Sequence, residues 1–366
     1  MNLWQNRFEM KKHNFSAGPC ILPQGVLKKA SEALLNFNND DLSLIEISHR
    51  SKSFVDVIEK ARSLALELLG LENKGYKALF LQGGASLEFL MVAYNLLNKK
   101  AAYLNTGTWS DKAIKEAKEF GEMVEVGSSK DKGYTFIPKG FSIPEDADYF
   151  HCTSNNTVSG TQMKVFPKTN IPLVCDMSSD IFSRQLDFEK FDLIYAGAQK
   201  NMGPAGTTLV IIKEDILGKV ERHIPSMLNY QTHIDKDSMF NTPSVFAVYV
   251  SMLTLQWLKD LGGIKFIEEV NNKKATLLYK EIDRNSLFKG IVAKEDRSTM
   301  NATFVLTNEE LTETFDKMWT EARINGIKGH RSVGGYRASM YNALPLYSVQ
   351  ALVDVMQEFE RKVISE

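Results

Sequence analysis

Asp192-Leu193-Ile194-Tyr195-Ala196-Gly197-Ala198-Gln199-Lys200-Asn201, running on through Met202-Gly203-Pro204-Ala205-Gly206-Thr207, is the stretch that decides the fold. Leu193–Ala196 is an apolar run of strand length, and a second one, Leu209–Ile212, follows the Gly-Pro-Ala-Gly segment. Parallel neighbours need a crossover of a dozen or more residues, usually a helix. Glycine and proline are the poorest helix formers, so this connection is not a helical crossover. Leu209–Ile212 is therefore expected to run antiparallel to its neighbour.

Upstream, five more short apolar runs read as strands: Ala78–Leu81, Ala101–Leu104, Met123–Val126, Tyr149–Cys152 and Leu173–Cys175. Helical patterns accompany them. Pro23 opens one, with Val26, Ala30, Ala33, Leu34 and Phe37 at helical spacing. Ser53, with Asp56 three residues on, is read as the N-cap of the next, whose face is Phe54, Ile58, Ala61, Ala65 and Leu68 and whose stop is Gly70. Further helices are expected over Leu87–Leu97 and from Ser110 to Gly121. Strands alternating with helices imply a mostly parallel sheet covered on both faces. The seven runs and the antiparallel return predict an α/β domain with a seven-stranded mixed sheet.

Beyond Thr242-Pro243 the rhythm changes. A long apolar helix, Ser244–Leu261, ends at Gly262-Gly263, and a second is expected from Ile264 to Asn285. Strand Ala302–Leu306, helix Leu311–Ile324, strand Arg337–Met340 and helix Val349–Val363 complete the chain. This predicts a large domain over 14–262 and a smaller α+β domain over 263–366. The long helix is expected to join them, and the first residues to pack with the smaller domain. Residues 1–9 read as an extension outside the fold.

Composition narrows the function. Lys+Arg number 44 against Asp+Glu 45, a net charge of −1. Nucleic-acid and membrane-surface roles need a concentrated basic field, which this balance does not supply. Cys20, Cys152 and Cys175 lie far apart without a CxxC pair, which fits a reducing, cytoplasmic setting with no disulfide framework and no metal site. No apolar run approaches the roughly 20 residues needed to span a bilayer, and the N-terminus has no signal-like apolar core.

Lys200 stands just past a strand end, where ligands bind in parallel α/β sheets. A lysine held there out of water has a lowered pKa and becomes an amine nucleophile for a carbonyl. Taken alone, a lysine after a strand is more often solvated. Asp176 changes that balance, because it closes the run Leu173-Val174-Cys175-Asp176. Pyridoxal phosphate enzymes need both a Schiff-base lysine and a carboxylate on the pyridine nitrogen. Gly83-Gly84-Ala85-Ser86 lies between a strand and a helix, where small residues and free N–H groups suit a phosphate. It matches neither the GxGxxG nor the GK[ST] pattern. Trp109 follows another strand end and offers an indole for stacking on a flat ring. Finally, His330, Arg331 and Arg337 in a glycine-rich run, and His49-Arg50 early in the chain, suit a substrate with two or three negative charges.

Five segments in register resemble the phosphoserine aminotransferases of the fold-type I pyridoxal phosphate superfamily. They are Asn14-Phe15-Ser16-Ala17-Gly18-Pro19, Ile47-Ser48-His49-Arg50, Tyr195–Asn201, Met239-Phe240-Asn241-Thr242-Pro243 and Lys328–Arg337. The resemblance implies pyridoxal 5′-phosphate as a Schiff base on Lys200, with Asp176 at the ring nitrogen and Trp109 stacked on the ring. It places Ala85, Ser86, Thr157 and Gln199 around the same cofactor. Asn241 and Thr242 are implied to reach the partner subunit's site in a homodimer. His49, Arg50, His330, Arg331 and Arg337 would bind substrate anions, Arg337 at the α-carboxylate. Two departures stand out: Ser86 sits where some members have arginine, and Ala17 where some have serine, so Ala17 is left out of the site.

The implied reaction moves an amino group from glutamate to 3-phosphohydroxypyruvate, giving O-phosphoserine and 2-oxoglutarate in serine biosynthesis. The four-carbon homologue, on the route to 4-phosphohydroxythreonine and pyridoxine, is a further implied substrate. The alternatives are another aminotransferase of the same fold or a non-catalytic regulator built on it. An alanine-using enzyme would not need two basic clusters, a desulfurase would need a cysteine on a mobile loop, and a regulator would need a DNA-binding region.

Overall fold

The computed structural model describes residues 12–331 and 333–365. The expected extension, residues 1–9, lies outside them, as does Ser332 of the glycine-rich run. In chain order the described elements begin with β1 (His13–Asn14), α1 (Gln24–Leu35), α2 (Lys52–Leu69), β2 (Tyr76–Leu81), α3 (Gly84–Leu96), β3 (Lys100–Asn105), α4 (Thr108–Ala117) and β4 (Glu122–Ser128). Then come β5 (Phe150–Thr153), β6 (Leu173–Asp176), β7 (Leu193–Gly197), β8 (Thr208–Lys213), α5 (Tyr230–Ile234), α6 (Val245–Asp260) and α7 (Gly263–Arg284). The chain closes with β9 (Phe288–Gly290), β10 (Asn301–Leu306), α8 (Thr312–Glu321), β11 (Ile324–Asn325), β12 (Tyr336–Ser339) and α9 (Leu346–Ser365).

Seven strands form the main sheet in the order β2-β8-β7-β6-β5-β3-β4. The five from β7 to β4 pair in parallel, while β8 is antiparallel to both β7 and β2. The short Lys200–Thr207 connection thus produces the antiparallel return expected of it. Successive strand residues point to opposite faces, and both faces are buried. Ile194 and Ala196 of β7 join a core with α2, α6 and the start of α7, while Leu193 and Tyr195 face a second core under α3 and α4. Burying such side chains contributes roughly 1.5–3 kcal/mol each against leaving them in water.

Helix α2 shows how local sequence sets an element. Phe54, Val57, Ile58, Ala61, Leu64 and Ala65 form its buried stripe. Gly70 takes a left-handed φ of 67° past its end, and its N–H and that of Leu71 bond back to Glu67 and Leu66 carbonyls. Its start differs from expectation: Ser51, not Ser53, is the N-cap residue, and no side chain caps the turn. The Ser51 hydroxyl instead lies 3.1 Å from that of Ser53.

The third core belongs to the C-terminal elements. Leu278 and Ile282 of α7, Phe288, Phe304, Phe315, Tyr336 and Phe359 pack around it together with Phe15. The N-terminal segment is tied there by β1–β11 pairing and by Ser339 N–H to the Phe15 carbonyl. Helix α7 runs from the first core, where Ile264 and Ile267 lie, to the third, where Ala275, Leu278 and Ile282 lie. No helix of the described residues is long and apolar enough to cross a membrane.

Candidate active site

Both lysine and aspartate arise where parallel strands of the main sheet stop. Asp176 is the last residue of β6, 4% exposed, and its Oδ1 accepts the Ser178 N–H at 2.9 Å. Burial raises its pKa, opposed by the charge of Lys200 and by the Ser178 hydrogen bond. Three residues past β7, Lys200 is half-buried, and its Nζ donates to Thr157 Oγ1 at 2.8 Å. Burial pulls its pKa down to about 8, against the pull of Asp176 and with the help of Arg337. Asp176 is too weak a counterion here to restore an ordinary ammonium.

These groups face one cavity of about 340 Å³, within the range of small-ligand sites. Among the expected residues, Ala85, Ser86, Trp109, Thr157, Asp176, Gln199, Lys200, His330 and Arg337 line it. Ala17, left out of the expected site, lines it as well, with Gly18, Gly84, Thr153, Asn155, Val158, Ser178 and Ser179.

Each wall has a cause. Gly83 and Gly84 take φ of 103° and 68°, and a Cβ on Gly83 would collide with Leu87, so only glycine turns β2 into α3 this tightly. That turn aims the N-terminus of α3 at the cavity through Gly84, Ala85 and Ser86. After β3, Ser110 Oγ accepts the N–H groups of Thr106 and Gly107, fixing the loop that carries Trp109. The Trp109 Nε1–H is buried without a partner, and Lys112 Nζ lies 4.5 Å from the centre of its ring. Arg337 reaches in from β12, its Nη1 donating to the Thr157 carbonyl at 3.2 Å and its Nε buried without a partner. His330 has a lowered pKa, chiefly from burial and then from the charges of Arg337 and Arg331.

The remaining expected residues lie outside the lining set. Arg50 and Arg331 are exposed, and His49 has a buried Nε2 without a partner. Asn241 donates to Gln82 Oε1 at 3.2 Å, and the Thr242 carbonyl accepts from Gln82 Nε2 at 3.0 Å. Thus both Asn241 and Thr242 sit at the surface beside the β2–α3 turn.

Residues 12–352 match the family described as Aminotransferase class-V. Phosphoserine aminotransferase of Flavobacterium psychrophilum is 71% identical over 97% of this chain and 100% of its own length. The chain belongs to the phosphoserine aminotransferase family.

Other family members place it the same way. The phosphoserine aminotransferase of Bacteroides thetaiotaomicron is 59% identical over 96% of this chain and 99% of its own. The solved structure of the phosphoserine aminotransferase from Bacillus circulans subsp. alkalophilus superposes with a TM-score of 0.93 at 43% identity, covering 96% of this chain and 99% of that one. A pyridoxal-phosphate-bound family structure from Trichomonas vaginalis gives 0.90 at 34% identity over 95% and 100% of the two chains. The seven-stranded mixed sheet is the fold-type I arrangement expected from the resemblance.

Several lining residues had no distinctive signal in the sequence. Ser178, Ser179 and Asn155 are ordinary loop residues until the strands are aligned. Then Asn155 Nδ2 donates to Ser179 Oγ at 2.8 Å, and Ser179 Oγ–H to the Asn155 carbonyl at 2.8 Å, which ties the ends of β5 and β6 together. Just behind, Arg184 donates to Asp180 at 2.8 Å in a buried ion pair that also takes in Ser154.

Proposed function

We propose that this chain transfers the amino group of glutamate to 3-phosphohydroxypyruvate, reversibly, giving O-phosphoserine and 2-oxoglutarate. The observation that carries the reading is the convergence of Lys200, Asp176 and Arg337 on one cavity beside the N-terminus of α3. A second substrate, the four-carbon phosphorylated homologue, has the same two kinds of anion and fits the same groups.

The residues suit pyridoxal 5′-phosphate. Lys200 offers an amine with a pKa near 8, so a useful fraction is unprotonated at neutral pH. The Asp176 carboxylate, whose ionisation burial opposes, would regain a counter-charge from a protonated pyridine nitrogen. Trp109 presents an indole with an uncommitted N–H, and Ala85 and Ser86 present free N–H groups of a helix N-terminus to the phosphate. Thr157 and Gln199 hold the remaining cofactor oxygens, and Asn241 and Thr242 of the partner subunit complete the phosphate site in a homodimer. When bound, the cofactor supplies an imine-forming carbonyl and a cationic ring that takes up the electron pair left when the substrate Cα–H breaks.

The chain's own groups do the rest. Arg337 grips the α-carboxylate with a guanidinium already braced on the Thr157 carbonyl, which orients the substrate Cα toward Lys200. Freed Lys200 Nζ, held by the Thr157 hydroxyl, takes the Cα proton and returns it on the other side of the transfer. Its depressed pKa keeps it basic at neutral pH without locking it as ammonium. His330 lines the cavity, and His49, Arg50 and Arg331, outside the lining of a single chain, join it at the distal phosphate or the γ-carboxylate, so one basic set serves both substrates in a ping-pong cycle. We place the enzyme in the cytoplasm.

A coupled assay tests this with 3-phosphohydroxypyruvate and its unphosphorylated analogue as acceptors. The phosphorylated acceptor is expected to have a kcat/KM about 100-fold or more higher, the worth of charge-assisted contacts to one phosphate. Equal efficiency with both would overturn the assignment of the basic cluster.

A further inference from the structure

Thr153 is the last residue of β5 and pairs in register with Asp176 of β6. Both are end residues of adjacent parallel strands about 4.8 Å apart, and both line the cavity. Alternation sends them to the same face of the sheet. His151, two residues earlier on β5, packs on Tyr103 and Tyr195 of the core under α3, and Val174, two before Asp176, lies in that core. Thr153 is 2% exposed, and its Oγ1 is buried with no hydrogen-bond partner. A hydroxyl in that state costs stability unless something occupies it.

The other flank of Asp176 is committed. Tyr195, its register partner on β7, has its hydroxyl 2.7 Å from His151 Nε2. At the carboxylate itself, Oδ1 accepts the Ser178 N–H, and the Ser178 side chain is a second donor to the same group. Both come from the β6 side, and a carboxylate has acceptor sites to spare for a donor from the β5 side or from a ligand. Thr153 offers the uncommitted hydroxyl next to it.

We propose that Thr153 is a positioning residue for Asp176: its hydroxyl donates to the Asp176 carboxylate when the site is filled, holding it ionised and aimed at the ring nitrogen. This rests on the reading of Asp176 above. The chemistry has a direction. Removing the donor makes the buried carboxylate easier to protonate, since burial already pushes that way. A less ionised Asp176 leaves the ring nitrogen less protonated. The Lys200–cofactor linkage then loses a neighbouring positive charge and becomes more basic.

The test uses the full chain with pyridoxal 5′-phosphate and compares Thr153→Val, which keeps the shape, with Thr153→Ser, which keeps the hydroxyl. Two properties are read: equilibrium affinity for the cofactor, and the pH midpoint of the absorbance of the Lys200-linked cofactor. Thr153→Val is expected to bind about 5-fold more weakly, the worth of one hydrogen bond, and to move the midpoint up by about half a unit or more. Thr153→Ser is expected to restore both to near the wild-type values. A Thr153→Val midpoint equal to wild type, with or without a loss of affinity, would show that the hydroxyl does not act through Asp176. A variant that unfolds leaves Thr153→Ser to decide, because a purely steric role predicts that serine, lacking the methyl group, shifts the midpoint as well. Absence of cofactor from the wild-type protein would overturn the parent reading instead, so the two failures are distinct.

Discussion

The two ends of the main sheet each hold a lysine beside a hollow, and the two differ in how far their polar groups are already paired. At one end Lys213 closes β8 and borders an open groove of about 790 Å³ with Lys168, Lys190, Glu189 and Asp192. At the other, Lys200 borders a cavity of about 340 Å³. Burial pulls down the Lys213 amine, but Asp192, 2.9 Å away, outweighs it and the pKa rises. In the groove of Lys213, Glu189 is likewise held in a pair, by Lys74 at 2.6 Å. Lys200 has a hydroxyl for a partner, and the Asp176 carboxylate only partly offsets the burial that lowers its pKa. Beside it, Trp109 Nε1, Thr153 Oγ1 and Arg337 Nε are buried without partners. Uncommitted polar groups, not volume, set the Lys200 cavity apart.

Replacing each lysine in turn separates the ends most strongly. Lys200→Ala is expected to lower the amino-transfer rate by about a thousandfold or more, because it removes both the attachment amine and the proton carrier. Lys213→Ala is expected to stay within about twofold in kcat, since its ion pair is local. Steady-state assay of both variants checks this, and comparable losses would mean the two ends are not functionally distinct.

A smaller effect is expected for Arg337→Ala. Loss of a charge-assisted contact to the α-carboxylate should raise KM for glutamate by about 10- to 100-fold. Cofactor affinity should change little, as read by equilibrium titration with pyridoxal 5′-phosphate. Equal losses of substrate and cofactor binding would reassign Arg337 to the cofactor.

How much of this could be read from the chain depends on what kind of signal each feature leaves. Six strands of the sheet are almost wholly buried and so appear as apolar runs; the edge strand β4 has no fully buried residue but keeps the apolar Met123, Val124 and Val126, and each of the seven was legible to within two residues. The antiparallel β8 was legible because Gly203-Pro204-Ala205-Gly206 cannot make a crossover helix. Strands β1 and β11 have two residues each and β9 three, too short for any periodicity. The N-cap moved from Ser53 to Ser51 because serines two apart look alike when neither makes the capping bond. Lys200 and Asp176 were legible as candidates since both follow buried strands. Thr153, Asn155 and Ser179 were not, because their significance lies in strand register, which a sequence does not print. Arg50 and Arg331 were read from their basic clusters and Asn241 and Thr242 from resemblance alone, and all four lie outside the cavity lining of a single chain.

The most direct measurement treats the cofactor-free protein with pyridoxal 5′-phosphate across a pH series, reduces it with borohydride and maps the modified peptides by mass. The reduced cofactor should be found on Lys200, with attachment rising as pH passes through about 8, where that amine loses its proton. Lys213 should remain unmodified under the same limiting reagent, its amine held protonated by Asp192. Label on Lys213 or another lysine, or attachment to Lys200 only near the pH of an ordinary lysine, would contradict the assignment of Lys200 as the reactive amine.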